Sequence, residues 1–586
     1  MKIRSFGIKV RLMLKKLIVD IRTTHLKDLR NVTLSNVRKL PDIIHLRNLV
    51  FFSAILSFVV LALFVQRFTT LEQYFVKESP ANGGNYSQGV IGNIDNINPL
   101  FVQNDAENAT SKLVFSGLTR VIDGNTYVPD LAESWTIDKT GKIYTFKLRK
   151  NLTWQDGKPL TADDIVFTIG LIQNPDTRTP ASQIWRGVTV AKVNDRELTI
   201  TLPNVYPDFL SVASQGILPQ HILGGVDPKN IKVAEFNTQP VGSGPYRFVR
   251  FDQIGSQTEA VFEKFDKFAI HKPYLDEVRL VLYGDEQTLF EGLSRRQIGG
   301  IANISVDKYK NLSSVSNVSL FKKYLPEYQV VYMNMKNDLL SNKDIRTAIA
   351  GSINRKELVD KVLSDYGEVQ ATPILPGKSG YDPKAKIIPY DIPAANALLD
   401  KIGWVKGKDG IRTKDGKKLS FRLVYPSDVE NIKDADILKK QLSEIGVEIV
   451  LTPANISLIS SNFIRPRNFD ILLIGQNVGF SQDFYSFWHS SQATDPGLNL
   501  SGFSDKKVDR LVEQVRRSTD EKYRADRYKE IQAAILDAVP VVYLYKPTEL
   551  YAISSDVKGS EQKKIAAPLD ILNNIHNWYI NVNKSY

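Results

Sequence analysis

From Pro240 to Phe248 the chain reads PVGSGPYRF, a stretch in which two glycines and two prolines surround a single serine. Gly242 and Gly244 can adopt a positive φ or let another backbone approach closely. Pro240 and Pro245 fix φ and donate no N–H. The pattern therefore predicts a rigid crossing of the chain that leads directly into a strand.

Loops of this composition also occur in catalytic and nucleotide-binding sites, but the neighbouring residues argue against both. The stretch lacks the Gly-Lys-Ser/Thr of a P-loop and has too few glycines for a dinucleotide fingerprint. Ser243 does not stand in a Gly-X-Ser-X-Gly turn. The histidines beyond residue 66 are far apart in sequence: His221, His271, His489 and His576. This spacing offers no ordinary metal-binding pair, so we expect no catalytic residue, no metal and no cofactor.

The size and charge of the chain limit its domain count and its partners. A chain of 586 residues is too long for one hydrophobic core and predicts two to four domains. Residues 1–48 hold 12 Lys+Arg against 3 Asp+Glu, most of the net charge of +12. The remaining residues hold 64 Lys+Arg against 61 Asp+Glu, so this part of the chain is nearly neutral. The basicity therefore belongs to a tail, and no nucleic-acid partner is expected.

The absence of cysteine removes several chemistries at once. It excludes disulfides, thiolate nucleophiles and Cys-ligated metals within this sequence. It also excludes a lipid-modified cysteine as a membrane tether, so a tether would have to be of another kind.

A transmembrane anchor is predicted between Leu49 and Val65. These 17 residues carry no charge and lie between Arg47 and Arg67. At about 1.5 Å per residue, such a helix nearly matches the thickness of the bilayer core. The positive-inside rule then places residues 1–47 in the cytoplasm and the rest of the chain outside, after a spacer over 66–82. A cleaved signal peptide is the alternative, although no small-residue cleavage site follows the run.

Strand and helix patterns alternate along the remaining sequence. Phe146 and Leu148 follow the period of two that is typical of a strand. Thr161 precedes Asp164 by three positions, as at the start of a helix. The run FDILLI from Phe469 has the continuous apolar character of a central strand. This alternation predicts an α/β architecture.

Several segments also occur in a family-specific order. They are Asn98-Pro99-Leu100, LAESW from Leu131, the block from Phe146 to Phe167, the Pro240 stretch, the helix from Asp344 to Arg355, and LLDKIGW from Leu398. With these segments the chain resembles the bacterial extracellular solute-binding proteins of the peptide- and nickel-binding type, which are receptors of ABC importers. The resemblance runs from about residue 90 to residue 542.

The resemblance implies an α/β, class II (cluster C) periplasmic-binding-protein-like clamp with two lobes and three domains, preceded by one N-terminal transmembrane helix. Lobe I is expected over 83–117, 236–322 and 539–586. A small domain over 118–235 is inserted in it, and lobe II spans 323–538. A ligand is expected in the cleft between the lobes, which close by a hinge motion.

One segment departs from the family pattern, and it bears on the ligand. Where relatives often read Asp-Tyr-X-Asp-Pro, with the first Asp able to hold an α-ammonium group, this chain reads FSQDF from Phe480. Alignment of Asp483 with the second acid places Phe480 at the first acid and Phe484 at the proline. Either Asp483 makes the ammonium contact, or no carboxylate makes it.

Five residues are therefore expected to bind ligand: Asp483, Phe480, Tyr485, Asn477 and Trp185. For each of them a structural role, as a loop acid or in the core, is the alternative. The expected function is a membrane-anchored receptor that captures a peptide or a similar small polar solute. It would deliver this ligand to the permease and ATPase subunits of an ABC importer. A sensor that signals through residues 1–47 is the second possibility.

Overall fold

The computed structural model describes residues 54–58, 60–61, 77–122, 126–255, 257–313, 315–479, 482–561 and 564–585. The chain forms two compact units. The smaller unit comprises the described residues up to Ser79 and from Asn583 onward. The larger unit runs from Pro80 to Val582 and contains the sheets and cavities described below.

The smaller unit bears on the predicted anchor. Residues 54–58 and 60–61 are helical, with exposed apolar side chains such as Phe58. The strand Lys77–Pro80 pairs with Val582–Ser585. Across the described parts of the chain, no helix has both the length and the apolar character needed to cross a bilayer. The other residues of the predicted anchor and the basic tail lie outside the described residues.

Sheet I is a mixed sheet of seven strands drawn from three separate parts of the chain. Its central strand, Asn85–Ile91, pairs in parallel with Glu277–Tyr283 and with Gly300–Ile301. In spatial order the strands are Val318–Lys323, Glu549–Ser554, Gly300–Ile301, Asn85–Ile91, Glu277–Tyr283, Gln257–Lys264 and Tyr246–Ile254.

Sheet II has six strands and is buried on both faces. Along Glu327–Met333, Val331 packs into one apolar core, while Val330 and Tyr332 pack into another on the opposite face. This follows from the period of two of a strand. In spatial order the strands are Gly367–Val369, Val541–Pro547, Glu327–Met333, Ile471–Asn477, Ser420–Pro426 and Glu448–Ala454.

The position of Val541–Pro547 corrects one predicted boundary. Residues from 539 onward were expected in lobe I, but this strand pairs antiparallel with Glu327–Met333 and with Gly367–Val369 inside sheet II. The chain returns to sheet I only with the next strand, Glu549–Ser554. The apolar run of the strand suits either sheet, and only the backbone pairing decides between them.

Sheet III is formed by the part of the chain between two strands of sheet I, Asn85–Ile91 and Tyr246–Ile254. Its four strands, in spatial order, are Ala132–Ile137, Ile143–Leu148, Glu197–Thr201 and Thr189–Asn194. Phe146 of this sheet and Tyr246 of sheet I lie in one continuous apolar core. Two smaller sheets complete the described strands: Thr119–Ile122 with Thr126–Pro129, and Val405–Lys406 with Arg412–Lys414 and Lys417–Lys418.

Helices cover the sheets, and polar side chains begin them as the sequence predicts. Thr161 and Asp164 form a reciprocal capping box at the start of Ala162–Gln173. The other longer helices of the described chain are Asp105–Val114, Glu286–Ser294, Val306–Leu312, Lys343–Gly351, Arg355–Val362, Ile392–Lys401, Val429–Glu444, Lys506–Arg516 and Glu521–Ala538. Shorter helices are Phe209–Val212, Gln220–Leu223, Ile456–Leu458 and Tyr485–Trp488. Short segments of other helical types occur at Pro175–Thr177, Pro180–Gln183, Pro228–Val233, Glu235–Asn237, Ile459–Ile464, Ser490–Gln492 and Pro568–Asn577.

The stretch from Pro240 leads the chain from sheet III into sheet I, which it enters at Tyr246. Neither Gly242 nor Gly244 has a positive φ. Both are needed because a Cβ at Gly242 would lie 1.9 Å from the carbonyl oxygen of Val114, and a Cβ at Gly244 would lie 2.6 Å from that of Leu113, at the end of the helix Asp105–Val114. The predicted crossing into a strand is confirmed, and the close approach of two backbones explains its glycines.

Gln155 connects this crossing to WQDGKP, residues 154–159 of the family-specific block that runs from Phe146 to Phe167. Its Nε2 donates to the carbonyl oxygen of Tyr246 at 2.9 Å, and its Oε1 accepts from the N–H of Gly242 at 3.0 Å. Its own backbone N–H donates to the carbonyl oxygen of Gly242 at 2.9 Å. One side chain therefore satisfies backbone groups that the crossing leaves without a regular partner.

Candidate ligand-binding site

A cavity of about 820 Å³ lies between residues 183–209, beside sheet III, and residues 477–517, beside sheet II. Its volume falls in the range of about 300–1,000 Å³ that is usual for small-ligand sites. The uncharged lining residues with polar side-chain groups are Gln183, Asn204, Tyr206, Asn477, Tyr485, Ser486 and Gln492. The charged ones are Asp483, Glu513, Arg516 and Arg517. Ile184, Phe209 and Phe487 are among the apolar ones.

Asp483 lies at this cavity and is bound by Arg516. The Nε of Arg516 donates to Oδ1 at 2.9 Å, and Nη2 of the same guanidinium donates to Oδ2. The backbone N–H of Tyr485 donates to Oδ1 at 3.2 Å, and the Ser486 hydroxyl donates to Oδ2 at 3.4 Å. The carboxylate is therefore paired with a cation and accepts four hydrogen bonds.

Tyr485 also lines the cavity, at the start of the helix Tyr485–Trp488. The Arg516 guanidinium carbon lies 4.0 Å from the centre of the Tyr485 ring. The same ring stacks on His489 with centroids 4.3 Å apart. The aromatic ring, the guanidinium and the carboxylate thus form one group, in which each side chain restricts the others.

Tyr206 faces this group from the opposite side of the cavity. Burial raises the pKa of its phenol, and the negative charge of Asp483 raises it further. The hydroxyl therefore stays protonated and can donate a hydrogen bond. Burial also raises the pKa of the nearby Asp208 to about 6, an effect that Arg524 opposes and Asp483 reinforces.

Asn477 lines the cavity at the end of Ile471–Asn477, the strand exit at which the sequence places it. Its Nδ2 donates to the carbonyl oxygen of Ala566 at 2.7 Å, and its Oδ1 accepts from the N–H of Gly479 at 2.9 Å. The side chain thus connects sheet II to the C-terminal segment.

The structure places Trp185 in the core and not among the residues that line the cavity. It is 3% exposed and meets Phe209 edge to face, with centroids 5.8 Å apart. Its backbone oxygen accepts from Gln173 at 2.9 Å. The expectation of a direct ligand contact is corrected for this residue, because its ring packs against Phe209, which itself lines the cavity. Phe480 lies outside the described residues.

Sequence patterns did not single out Arg516, Tyr206 or Phe209. Arg516 is one of several cations in and around the helix Lys506–Arg516, and nothing in the sequence marks it. Tyr206 and Phe209 follow a strand in a region without a recognisable motif. What the three residues share is their position where two segments distant in sequence meet. Only the tertiary structure shows that position.

The histidine that stacks on Tyr485 is held by neighbouring side chains. His489 is held by Ser491, 2.8 Å from its Nδ1, and by Glu513, 3.4 Å from its Nε2. Among the residues that the structure describes, no three His, Asp or Glu side chains are grouped as metal ligands.

Comparison with known proteins identifies the family. A family model described as "Bacterial extracellular solute-binding proteins, family 5 Middle" matches residues 126–497, more than half of the chain. The chain belongs to this family. Its members are solute-binding receptors, and the resemblance and the α/β periplasmic-binding-protein-like fold inferred from the motifs are confirmed.

Individual relatives of this family 5 protein cover most of its length. The oligopeptide-binding protein AppA of Bacillus subtilis is 29% identical over 511 residues, which are 86% of this chain and 92% of AppA. The dipeptide-binding protein of Escherichia coli is 23% identical over 508 residues, 80% of this chain and 90% of its own.

Solved structures agree with this assignment. AppA from Bacillus subtilis, in complex with a nonapeptide, superposes with a TM-score of 0.75 at 28% identity and covers 86% of this chain and 100% of its own. NikZ from Campylobacter jejuni, in complex with Ni(L-His), superposes with a TM-score of 0.75 at 27% identity. The match covers 84% of this chain and 99% of NikZ.

Proposed function

We propose that this family 5 protein captures a peptide, or a similar small polar solute, and delivers it to the permease and ATPase subunits of an ABC importer. The ligand occupies the cavity of about 820 Å³. The part of the chain carrying sheets I and III, which share one core, and the part carrying sheet II close around it as the two lobes of a clamp. The chain passes between these sheets at residues 324–326 and at Thr548, two short connections that can act as a hinge.

The cavity is the observation that carries this proposal. It lies between segments from different sheets, and amide and hydroxyl groups are interspersed with apolar side chains along its walls. Such a lining can hydrogen-bond a peptide backbone and still accept varied side chains. AppA, which superposes over most of this chain, was solved with a nonapeptide.

Native mass spectrometry of the full chain, purified in a mild detergent, tests the proposal. We expect a mixture of short peptides to be released on denaturation. A Ser486→Trp variant, whose indole occupies the cavity, should lose these masses while its circular dichroism spectrum is unchanged. Release of a metal complex, a sugar or haem in place of peptides would contradict the peptide assignment.

We also propose that the run between Leu49 and Val65 anchors the protein in the membrane, with the cavity on the extracytoplasmic side. The supporting observation is the uncharged run of 17 residues between two arginines. The protein should stay with membranes after alkaline carbonate washing and be digested by protease added outside the cell. A chain lacking residues 49–65 should be released by the wash; retention of that chain would contradict the anchor.

A sensor that signals through residues 1–47 is the second candidate. The 12 Lys+Arg in residues 1–48 exceed what a simple topology signal needs. Deletion of residues 1–40, with the apolar run left in place, separates the two functions. A receptor that only delivers ligand should keep peptide uptake with no change in transcription, whereas a sensor should lose its transcriptional response.

A further inference from the structure

We propose that Arg516 binds the main-chain carboxylate of the ligand, and that Asp483 positions Arg516 and does not bind the ligand's ammonium group. This rests on the proposed function, since it assigns the ligand's end group within the same cavity. It predicts a receptor that reads the C-terminus of a peptide and tolerates a blocked N-terminus.

Asp483 has no acceptor capacity left for an ammonium group. An ionised carboxylate offers about four lone-pair positions. Arg516 takes one on each oxygen, the Tyr485 N–H takes a second on Oδ1, and the Ser486 hydroxyl takes a second on Oδ2. An incoming ammonium group would have to displace one of these donors, and the charge-assisted pair with Arg516 is the strongest of them.

Arg516, by contrast, keeps donors available. A guanidinium carries five N–H groups, and Asp483 uses one on Nε and one on Nη2. The two N–H groups of Nη1 and the second of Nη2 have no hydrogen-bond partner among the described residues. The side chain is 37% exposed and lines the cavity. The end of the fork formed by Nη1 and Nη2 therefore matches a second carboxylate, in the two-bond geometry that Arg favours.

The surroundings hold this fork in place. Asp483 fixes one edge of the guanidinium, and the Tyr485 ring lies against its face at 4.0 Å. Tyr206, whose phenol stays protonated, adds a donor from the opposite wall. A fixed fork loses little conformational entropy when it binds a ligand.

The other charged side chains that line the cavity are paired with each other. Glu513 lies 3.6 Å from Nη2 of Arg517 and 3.4 Å from Nε2 of His489. Neither Asp483 nor Glu513 is thus an unpaired acid that calls for a ligand cation. Arg516, in contrast to these acids, is a cation held in a fixed position that keeps donors beyond those its protein acceptors use.

A pentapeptide library free of Asp, Glu, Lys and Arg, prepared in four end-group forms, tests this inference on the full chain in detergent. The forms combine a free or acetylated N-terminus with a free or amidated C-terminus, and titration calorimetry measures their binding. Amidation should weaken binding about 10- to 100-fold, as expected for loss of a charge-assisted hydrogen bond, while acetylation should change it less than about threefold. The reverse pattern, or equal binding of acid and amide forms, overturns the inference and leaves the proposed function standing. No binding of any form overturns both.

Three variants assign the effect to residues. Arg516→Gln should bind acid and amide peptides alike, and Arg516→Lys, which keeps the charge, should retain part of the difference. Arg510→Gln is the matched control, because Arg510 lies on the same helix, is exposed and is not part of the cavity wall. Asp483→Asn should weaken acetylated and free peptides equally. A loss confined to peptides with a free N-terminus would show that Asp483 binds the ammonium group and would overturn the inference.

Discussion

Replacement of Gly242 by alanine tests the packing of the crossing that leads into sheet I. An added Cβ would lie 1.9 Å from the backbone oxygen of Val114, about 1 Å inside the 3.0 Å below which real Cβ contacts essentially never occur. The obstacle is main chain, so no rotation of a side chain can relieve it. The loop has to move away from the end of the helix Asp105–Val114.

The cost of this movement follows from the bonds that it breaks. A shift of about 1 Å disrupts the hydrogen bond from Gly244 N–H to Val114 at 2.7 Å and the pair between Gly242 and Gln155 at 2.9 and 3.0 Å. Each buried polar group left without a partner costs about 1–3 kcal/mol, and overpacking adds about 1–3 kcal/mol. Because relaxation of the loop can restore some of these bonds and leave one or two groups unpaired, we expect Gly242→Ala to destabilise the core shared by sheets I and III by about 3–5 kcal/mol.

Differential scanning calorimetry measures this loss. For a domain of about 150–250 residues, 1 kcal/mol shifts Tm by about 2–4 °C, so a decrease of about 6–20 °C is expected. Gly170→Ala is the matched control: Gly170 is an exposed residue of a helix, and a Cβ there meets nothing within 4 Å. The Gly170→Ala substitution should raise the free energy of unfolding by about 0.5–1 kcal/mol. Equal Tm values for Gly242→Ala and the wild type would refute the close-approach argument.

We expect two buried titratable groups to change the pH dependence of stability in opposite directions. The midpoint of urea unfolding, measured from pH 4 to 8, reports both effects. Burial raises the pKa of Asp434 to about 7, so its contribution to stability should fall as pH rises from about 4 to 7, by roughly 4 kcal/mol at most, and Asp434→Asn should make the measured fall smaller by that contribution. Burial, reinforced by Arg120, lowers the pKa of His576 to about 2, so stability should fall as pH drops below about 6.5, and His576→Gln should reduce this loss. An unchanged slope in either variant would contradict the corresponding assignment.

The sequence was most informative where one residue type alone satisfies a backbone requirement. The glycines at 242 and 244 and the capping residues Thr161 and Asp164 mark a crossing and a helix start because few residues can replace them there. Asn477 could be placed at a cavity because a strand exit is visible as the end of an apolar run.

Side-chain roles at the cavity were less accessible. Trp185 and Tyr485 are both aromatic, yet one lies in the core and the other lines the cavity. The predicted boundary at 539 was wrong for a related reason. The strand Val541–Pro547 is apolar throughout its first half, and such a strand can join either sheet until its partner strands are known.

By itself, the sequence determined the family, the α/β class and the crossing at Pro240, because local backbone requirements and ordered motifs are properties of contiguous residues. Only the tertiary structure showed that the Asp483 carboxylate is paired with a cation. Its partner Arg516 lies 33 positions along the chain, and Tyr206 approaches from a different part of the fold. Charge pairing depends on distances of a few ångströms, and sequence separation does not report these.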